Sequence, residues 1–160
     1  MYAKKIMKKV NTKNFKKTLS KFKTGVTVVC AKDKEFTFGK TVNSFNSLSL
    51  NPPLVLFSLG NYSSSIKIYL KKKFLTINIL SKKQKTISNH FSEKNPKFKK
   101  IDFINGKHNT SIIKGCISNL ECEVIDKIKK GDHIIFVCKV LNVYYDDLQK
   151  PLSYFNSKYC

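Results

Sequence analysis

Apolar residues recur with two different periods along the first forty positions. Phe15, Leu19 and Phe22 stand at i, i+4 and i+7, which places them on one face of a helix, with Asn11 or Thr12 as its cap and an end before Gly25. The period then changes. Val26-Thr27-Val28-Val29-Cys30-Ala31 is apolar and β-branched, Asp33-Lys34-Glu35 makes a polar turn, and Phe36 to Lys40 forms a second strand, so the pair predicts a β-hairpin. Thr41 to Leu50 is dense in Ser, Thr and Asn and reads as a polar loop. Asn51-Pro52-Pro53 halts regular structure, because proline lacks the N–H that a ladder needs, and Leu54 to Leu59 resumes as a buried strand.

A second helix is predicted from Ser63–Ser65 through Ile66 and Leu70, followed by a strand from Phe74 to Leu80. Ser81 and Gln84 have capping-box spacing, with Ile87 and Phe91 one turn apart behind them, so a third helix starts there. Lys94 to Asn109 is polar and lacks periodicity, as a loop does. From Cys116 to Ile125 apolar and polar positions alternate with period two, and Lys129-Lys130-Gly131-Asp132 turns the chain into His133 to Tyr145, which is apolar on both faces at first. A last strand spans Leu152 to Phe155. Many strands, few helices and too few βαβ units predict an α+β chain, mainly antiparallel β, with a barrel and a few flanking helices. Residues 1–10 read as a basic N-terminal tail and 11–160 as a single domain.

Composition narrows the class. The chain has 160 residues, 41% of them hydrophobic, which is enough for one core. No apolar run approaches the roughly 18 residues that span a bilayer, and the Lys-rich start runs into polar Asn11-Thr12-Lys13-Asn14 where a signal peptide needs an apolar stretch, so the expectation is a cytoplasmic protein with no membrane. The formal charge is +21, yet all 31 basic residues are Lys, and Arg is the side chain suited to bidentate recognition of phosphate and guanine. That pattern reads as a general composition bias, and specific nucleic-acid binding is not expected. Cys30, Cys116, Cys122, Cys138 and Cys160 are an odd number with no C-x-x-C pair. Cys116 and Cys122 on one strand would stand roughly 20 Å apart. Buried free thiols are expected rather than a disulfide or a zinc site.

The six glycines are too scattered for a dinucleotide fingerprint or a phosphate-binding loop, and His90, His108 and His133 have no metal-ligand spacing. What remains is Thr41-Val42-Asn43-Ser44-Phe45-Asn46-Ser47-Leu48-Ser49. On the residues alone this is either an ordinary polar loop or a set of hydroxyls and amides that satisfies a planar polar ligand such as an isoalloxazine.

Phe22-Lys23-Thr24-Gly25-Val26-Thr27-Val28-Val29, followed by Gly39-Lys40-Thr41 through Asn51-Pro52-Pro53-Leu54-Val55-Leu56, closely resembles the signature of the flavin reductase-like family, the small reductase components of two-component monooxygenases. Phe74-Leu75-Thr76-Ile77-Asn78-Ile79-Leu80 with Gln84, the pair Lys97-Phe98, Gly131-Asp132-His133, and Pro151-Leu152-Ser153-Tyr154-Phe155 with Tyr159 are similar to its later landmarks, in order. The resemblance covers about Phe15 to Tyr159. It implies an FMN-binding split β-barrel that forms a homodimer and passes hydride from NADH or NADPH to FMN or FAD, with a monooxygenase partner as a recipient of reduced flavin. By the same resemblance Thr41, Val42, Asn43 and Ser44 lie along the isoalloxazine, and Ser47, Leu48 and Ser49 continue toward the ribityl chain and phosphate. Ser58, Leu59, Ser63, Ser64 and Ser65 reach the phosphate, Lys97 and Phe98 close over it, and His133 and Tyr159 sit where the nicotinamide stacks. His133 is the residue assigned to catalysis, by orienting the reductant or offsetting charge on the reduced flavin. The serines at the predicted helix start would add hydroxyls and free N–H groups for an anion. Lys40 and Asn46 depart from the family pattern, which has an apolar residue and a small one there, and Pro96 stands where an acidic residue is common. The competing readings are a non-catalytic flavin-binding or polyanion-binding module, and a flavoprotein of the same fold with another redox task.

Overall fold

The computed structural model describes residues 7–93 and 100–160. Strands β2 (Thr27–Asp33) and β3 (Phe36–Val42) form the first hairpin, and β4 (Asn46–Ser49), β5 (Leu54–Gly60), β6 (Phe74–Ile79), β9 (Ser118–Lys130) and β10 (His133–Tyr145) complete one antiparallel sheet. Its order is β3-β2-β6-β9-β10-β5-β4. The β9–β10 pair is its spine: two 13-residue strands joined by a turn whose Gly131 has φ +58°, a conformation glycine adopts without a Cβ clash. Register shifts between Val137 and Cys138 and between Val140 and Asn142 bend this pair, as bulges do. The sheet curls until the chain leaving β3 meets β5. Ser44 Oγ donates to the Ser58 carbonyl at 3.0 Å and accepts from the Ser58 N–H at 3.0 Å, fastening that seam.

Alternation along these strands separates two cores. One face buries Val29, Phe57, Leu75, Ile77, Cys122 and Phe136, with the Phe57 and Phe136 rings stacked at 5.0 Å, beneath α2 (Ile66–Lys71). Tyr69 of α2 is fully buried and donates its hydroxyl to the Val29 and Phe38 carbonyls at 2.9 and 3.1 Å. The other face buries Val28, Cys30, Leu80, Ile113 and Cys116 under Phe91 of α3 (Lys85–Ser92). Buried amides hold the two together. Asn78 donates to the Val28 carbonyl and accepts from the Ile113 N–H and from Asn119 Nδ2. Glu121, 0% exposed, takes bonds from Thr110 Oγ1 at 2.6 Å, the His108 N–H at 2.8 Å and Asn142 Nδ2 at 2.9 Å.

Several expectations need correction. The first helix, α1 (Thr12–Leu19), is capped by Asn11, whose side chain accepts from the Asn14 N–H, but it buries no residue, and Phe22 lies beyond its end. The stretch read as a loop after Lys40 contains the end of β3 and all of β4. Gln84 returns to the Ser81 N–H at 3.0 Å, but a 3-10 turn over Lys82–Gln84 precedes α3. Within the region read as loop, β7 (Phe103–Asn105) precedes and pairs with β8 (Ser111–Ile113). Short strands β1 (Thr24–Gly25), β11 (Ser153–Phe155) and β12 (Lys158–Tyr159) form a separate small sheet. Cys116 precedes β9 and packs in a different core from Cys122, so the two are not neighbours on one strand face. Four cysteines are buried and free, while Cys160 is exposed. Burial pushes the Cys116 thiol up to about 11, so it is not a thiolate near neutral pH. Among the described residues no helix is long and apolar enough to cross a membrane, and no group of His, Cys, Asp or Glu is arranged to hold a metal.

Candidate active site

The end of β3 is a ridge between two clefts. Thr41, Val42 and Asn43 line both. The cleft on one side, about 220 Å³, is closed by Ser44, Ser58, Leu59 and Gly60 and by Tyr62 and His133. The cleft on the other, about 310 Å³, is walled by Tyr154 and Tyr159. A third, about 290 Å³, runs from Gly39 and Lys40 to Ser64 and Ser65, with His90, Phe91 and Glu93 opposite. These three are the His133, Tyr159 and serine clefts.

His133 opens β10 directly across from Gly60 of β5. A Cβ at Gly60 would stand 2.7 Å from the Tyr62 ring, so glycine is what lets Tyr62 fold back over this corner. Tyr62 meets the imidazole edge-on at 6.3 Å. His133 Nδ1 lies 2.7 Å from Asp132 Oδ1, and the hydrogen bond from His133 holds the Asp132 carboxyl below its ordinary value of 3.8. Asp132 is therefore an acceptor at neutral pH, so Nδ1 bears the proton of that bond and Nε2 is left for other partners.

Around the ridge, Thr41 Oγ1 donates to the Ser88 carbonyl at 2.7 Å, and Ser88 Oγ meets the Tyr159 hydroxyl at 2.9 Å. One residue of α3 thus ties β3 to β12. The Tyr159 ring packs edge-on against Tyr154 at 5.4 Å, with Lys85 Nζ 5.6 Å from its centre. Gly39 is required here for a different reason: a Cβ would overlap the buried Phe91 ring, so glycine lets α3 lie close on β3.

Of the residues singled out from sequence, Thr41, Val42, Asn43, Ser44, Ser58, Leu59 and His133 come together in the His133 cleft. Ser64 and Ser65 line the serine cleft, and Ser63 reaches Ser65 through a hydroxyl contact of 3.2 Å. The helix they precede has only six residues and Ser65 makes no side-chain cap bond, so its dipole adds little to anion binding. Tyr159 stands across the β3 ridge from His133, not in the same cleft. Ser47, Leu48 and Ser49 lie on β4, the strand at the sheet edge, and line none of the three clefts. Lys97 and Phe98 lie outside the described residues. The sequence reading does not include Tyr62 or Ser88, and it has Tyr154 in a landmark motif without a site role. Nothing in the spacing of Tyr62 or Ser88 points to the clefts.

A family model described as flavin reductase like domain matches residues 19–160. An FMN reductase (NADH), SmoA, from Agrobacterium fabrum is 36% identical over 137 residues, which cover 86% of this chain and 79% of that protein. The reductase subunit HsaB of a flavin-dependent monooxygenase from Mycobacterium tuberculosis is 33% identical, over 79% of this chain and 68% of the relative. The solved structure of flavin reductase PheA2 in its native state superposes with a TM-score of 0.89 at 32% identity, covering 94% of this chain and 97% of that one. With the family model matching residues 19–160 and a relative 36% identical over 86% of this chain, the chain belongs to the flavin reductase-like domain family.

Proposed function

We propose that this protein is an NAD(P)H-dependent flavin reductase, transferring hydride from a reduced nicotinamide nucleotide to FMN or FAD held in the His133 cleft. The observation that carries the reading is the convergence of Thr41–Ser44, Ser58, Leu59 and His133 on one cleft in a chain of this family. The donor set suits such a ligand: hydroxyls and an amide from Thr41, Asn43 and Ser44 match the polar edge of an isoalloxazine, and Val42 and Leu59 match its apolar part. Bound flavin supplies the hydride-accepting chemistry, and the protein supplies position and field. The Ser44–Ser58 clamp keeps the cleft wall in place. The Asp132 carboxylate fixes the tautomer of His133 and presents Nε2 to the cleft mouth, where it orients the reductant or meets charge as it develops.

Three further points belong to this reading. The protein acts in the cytoplasm as one domain, which the free buried thiols and the absence of a described membrane-length helix support. It works as a homodimer, supported by the exposed apolar side chains of Phe15, Leu19 and Phe22. Reduced flavin passes to a monooxygenase, as the name of the HsaB relative suggests. The test of the activity is an absorption spectrum: purified protein supplied with FMN or FAD should lose the yellow flavin bands on adding NADH or NADPH. Bands that persist with both nucleotides would overturn the proposal.

A further inference from the structure

Lys40 occupies a place that the catalytic reading leaves unused. It sits on β3 opposite Val29, half-buried, and alone among the described residues it lines both the His133 cleft and the serine cleft. Phe38 and Lys40 pair with Ala31 and Val29, whose side chains enter the core beneath α2, so Lys40 stands on the α2 side of β3 while Thr41 turns to α3. A ligand whose ring lies in the His133 cleft and whose side chain reaches the hydroxyls of Ser64 and Ser65 must pass Lys40. Its ammonium is a point charge with three donors, suited to a phosphate approached from several directions. Among the described residues the other ionisable groups lining the serine cleft are His90 and Glu93, and a carboxylate repels a phosphate. Among the described residues of that cleft, Lys40 is the cation that offsets Glu93.

We propose that Lys40 is the counter-ion of the flavin phosphate in this protein and sets its preference for phosphorylated flavin over the bare ring system. The inference rests on flavin binding in the His133 cleft. It goes beyond the family resemblance, because the family pattern has an apolar residue at this position. A phosphate monoester carries about 1.5 to 2 negative charges near neutral pH, and riboflavin has the same ring and ribityl chain with none.

The experiment compares the dissociation constants of riboflavin, FMN and FAD for the full-length protein and for Lys40→Met and Lys40→Arg, by flavin fluorescence at low and high salt. Methionine preserves length and apolar packing, and circular dichroism checks the fold of each variant. Expected is a loss of about tenfold for FMN and FAD in Lys40→Met with riboflavin unchanged, shrinking as salt rises, and recovery of most of the affinity in Lys40→Arg. Equal weakening of riboflavin and FMN would overturn the proposal, since Lys40 would then act on the ring, and unchanged FMN affinity would overturn it too. A wild-type protein that binds none of the three flavins refutes the functional reading itself, an outcome visible before any variant is made.

Discussion

His133 is held from two sides, by the Asp132 carboxylate at Nδ1 and by the edge of Tyr62, and neither contact reaches the hydrophobic core. Its replacement therefore separates chemistry from folding. His133→Ala is expected to leave flavin occupancy intact and to slow reduction by NADH or NADPH by about ten- to a thousandfold, the range for one positional or electrostatic contact. Stopped-flow absorbance reads this directly. A variant that reduces flavin as fast as wild type, or that loses flavin, removes His133 from catalysis. Glu121 is the opposite kind of residue, wholly buried and lining none of the three clefts. Burial pushes its carboxyl up, but the bonds from Thr110 and the His108 backbone, with the His108 ring 3.2 Å away, outweigh that and hold it below its ordinary value of 4.5. Below that value the unfolded chain binds more protons, so stability is fully present above about pH 4.5 and falls as pH drops through the lower folded value. Glu121→Gln should cost about 1 to 3 kcal/mol near neutral pH, with the gap to wild type narrowing in acid. Urea denaturation at both pH values checks the sign, and a gap that widens in acid would contradict the argument.

At the scale of elements, β3 and α3 are pressed together because position 39 has no Cβ. Gly39→Ala forces its methyl group into the buried Phe91 ring and should destabilise the fold by about 1 to 3 kcal/mol, as overpacking does. Combining it with Phe91→Leu should recover part of that loss, a coupling that a double-mutant cycle in urea measures. Additive losses would mean that the two elements relax independently. The same pair illustrates what a sequence can convey. The β2–β3 hairpin, β6 and the β9–β10 pair were legible because each alternates or runs apolar over at least five residues, and Asn11 and Gln84 announced helix starts by local hydrogen bonding alone. The pair β7–β8 was not, since three-residue strands carry too little pattern, and β4 was hidden by its place at an edge, where Ser47 and Leu48 face no core and need no alternation. The closeness of Gly39 to Phe91, and of Thr41 to Ser88, joins parts of the chain about fifty residues apart and has no local signal.

For the whole molecule, the family resemblance orders the landmarks and names seven residues that line the His133 cleft, while the period of Phe15 and Leu19 marks the helix α1 without showing what covers its apolar side. Phe15, Leu19 and Phe22 are 56%, 55% and 76% exposed, which is costly for a single chain in water unless another surface covers them. On the outer side of the sheet, Leu54 and Leu56 of β5 and Ile135 and Val137 of β10 are only half-buried, and β4 lies beside them with Ser47 and Leu48 exposed. A second copy would cover such faces. It would also give Ser47 and Ser49 a ligand to meet, since in one chain they line none of the clefts. Two measurements follow from one premise. Light scattering should give twice the chain mass of 18.4 kDa. In that dimer Ser47→Ala with Ser49→Ala should weaken flavin binding by about 1 to 3 kcal/mol, because a buried partner on the flavin loses its hydrogen bond. A monomer with full flavin occupancy would refute the dimer. A dimer whose double variant binds flavin as tightly as wild type would confine the site to the His133 and serine clefts of each chain, with β4 serving only to bury the edge of the sheet.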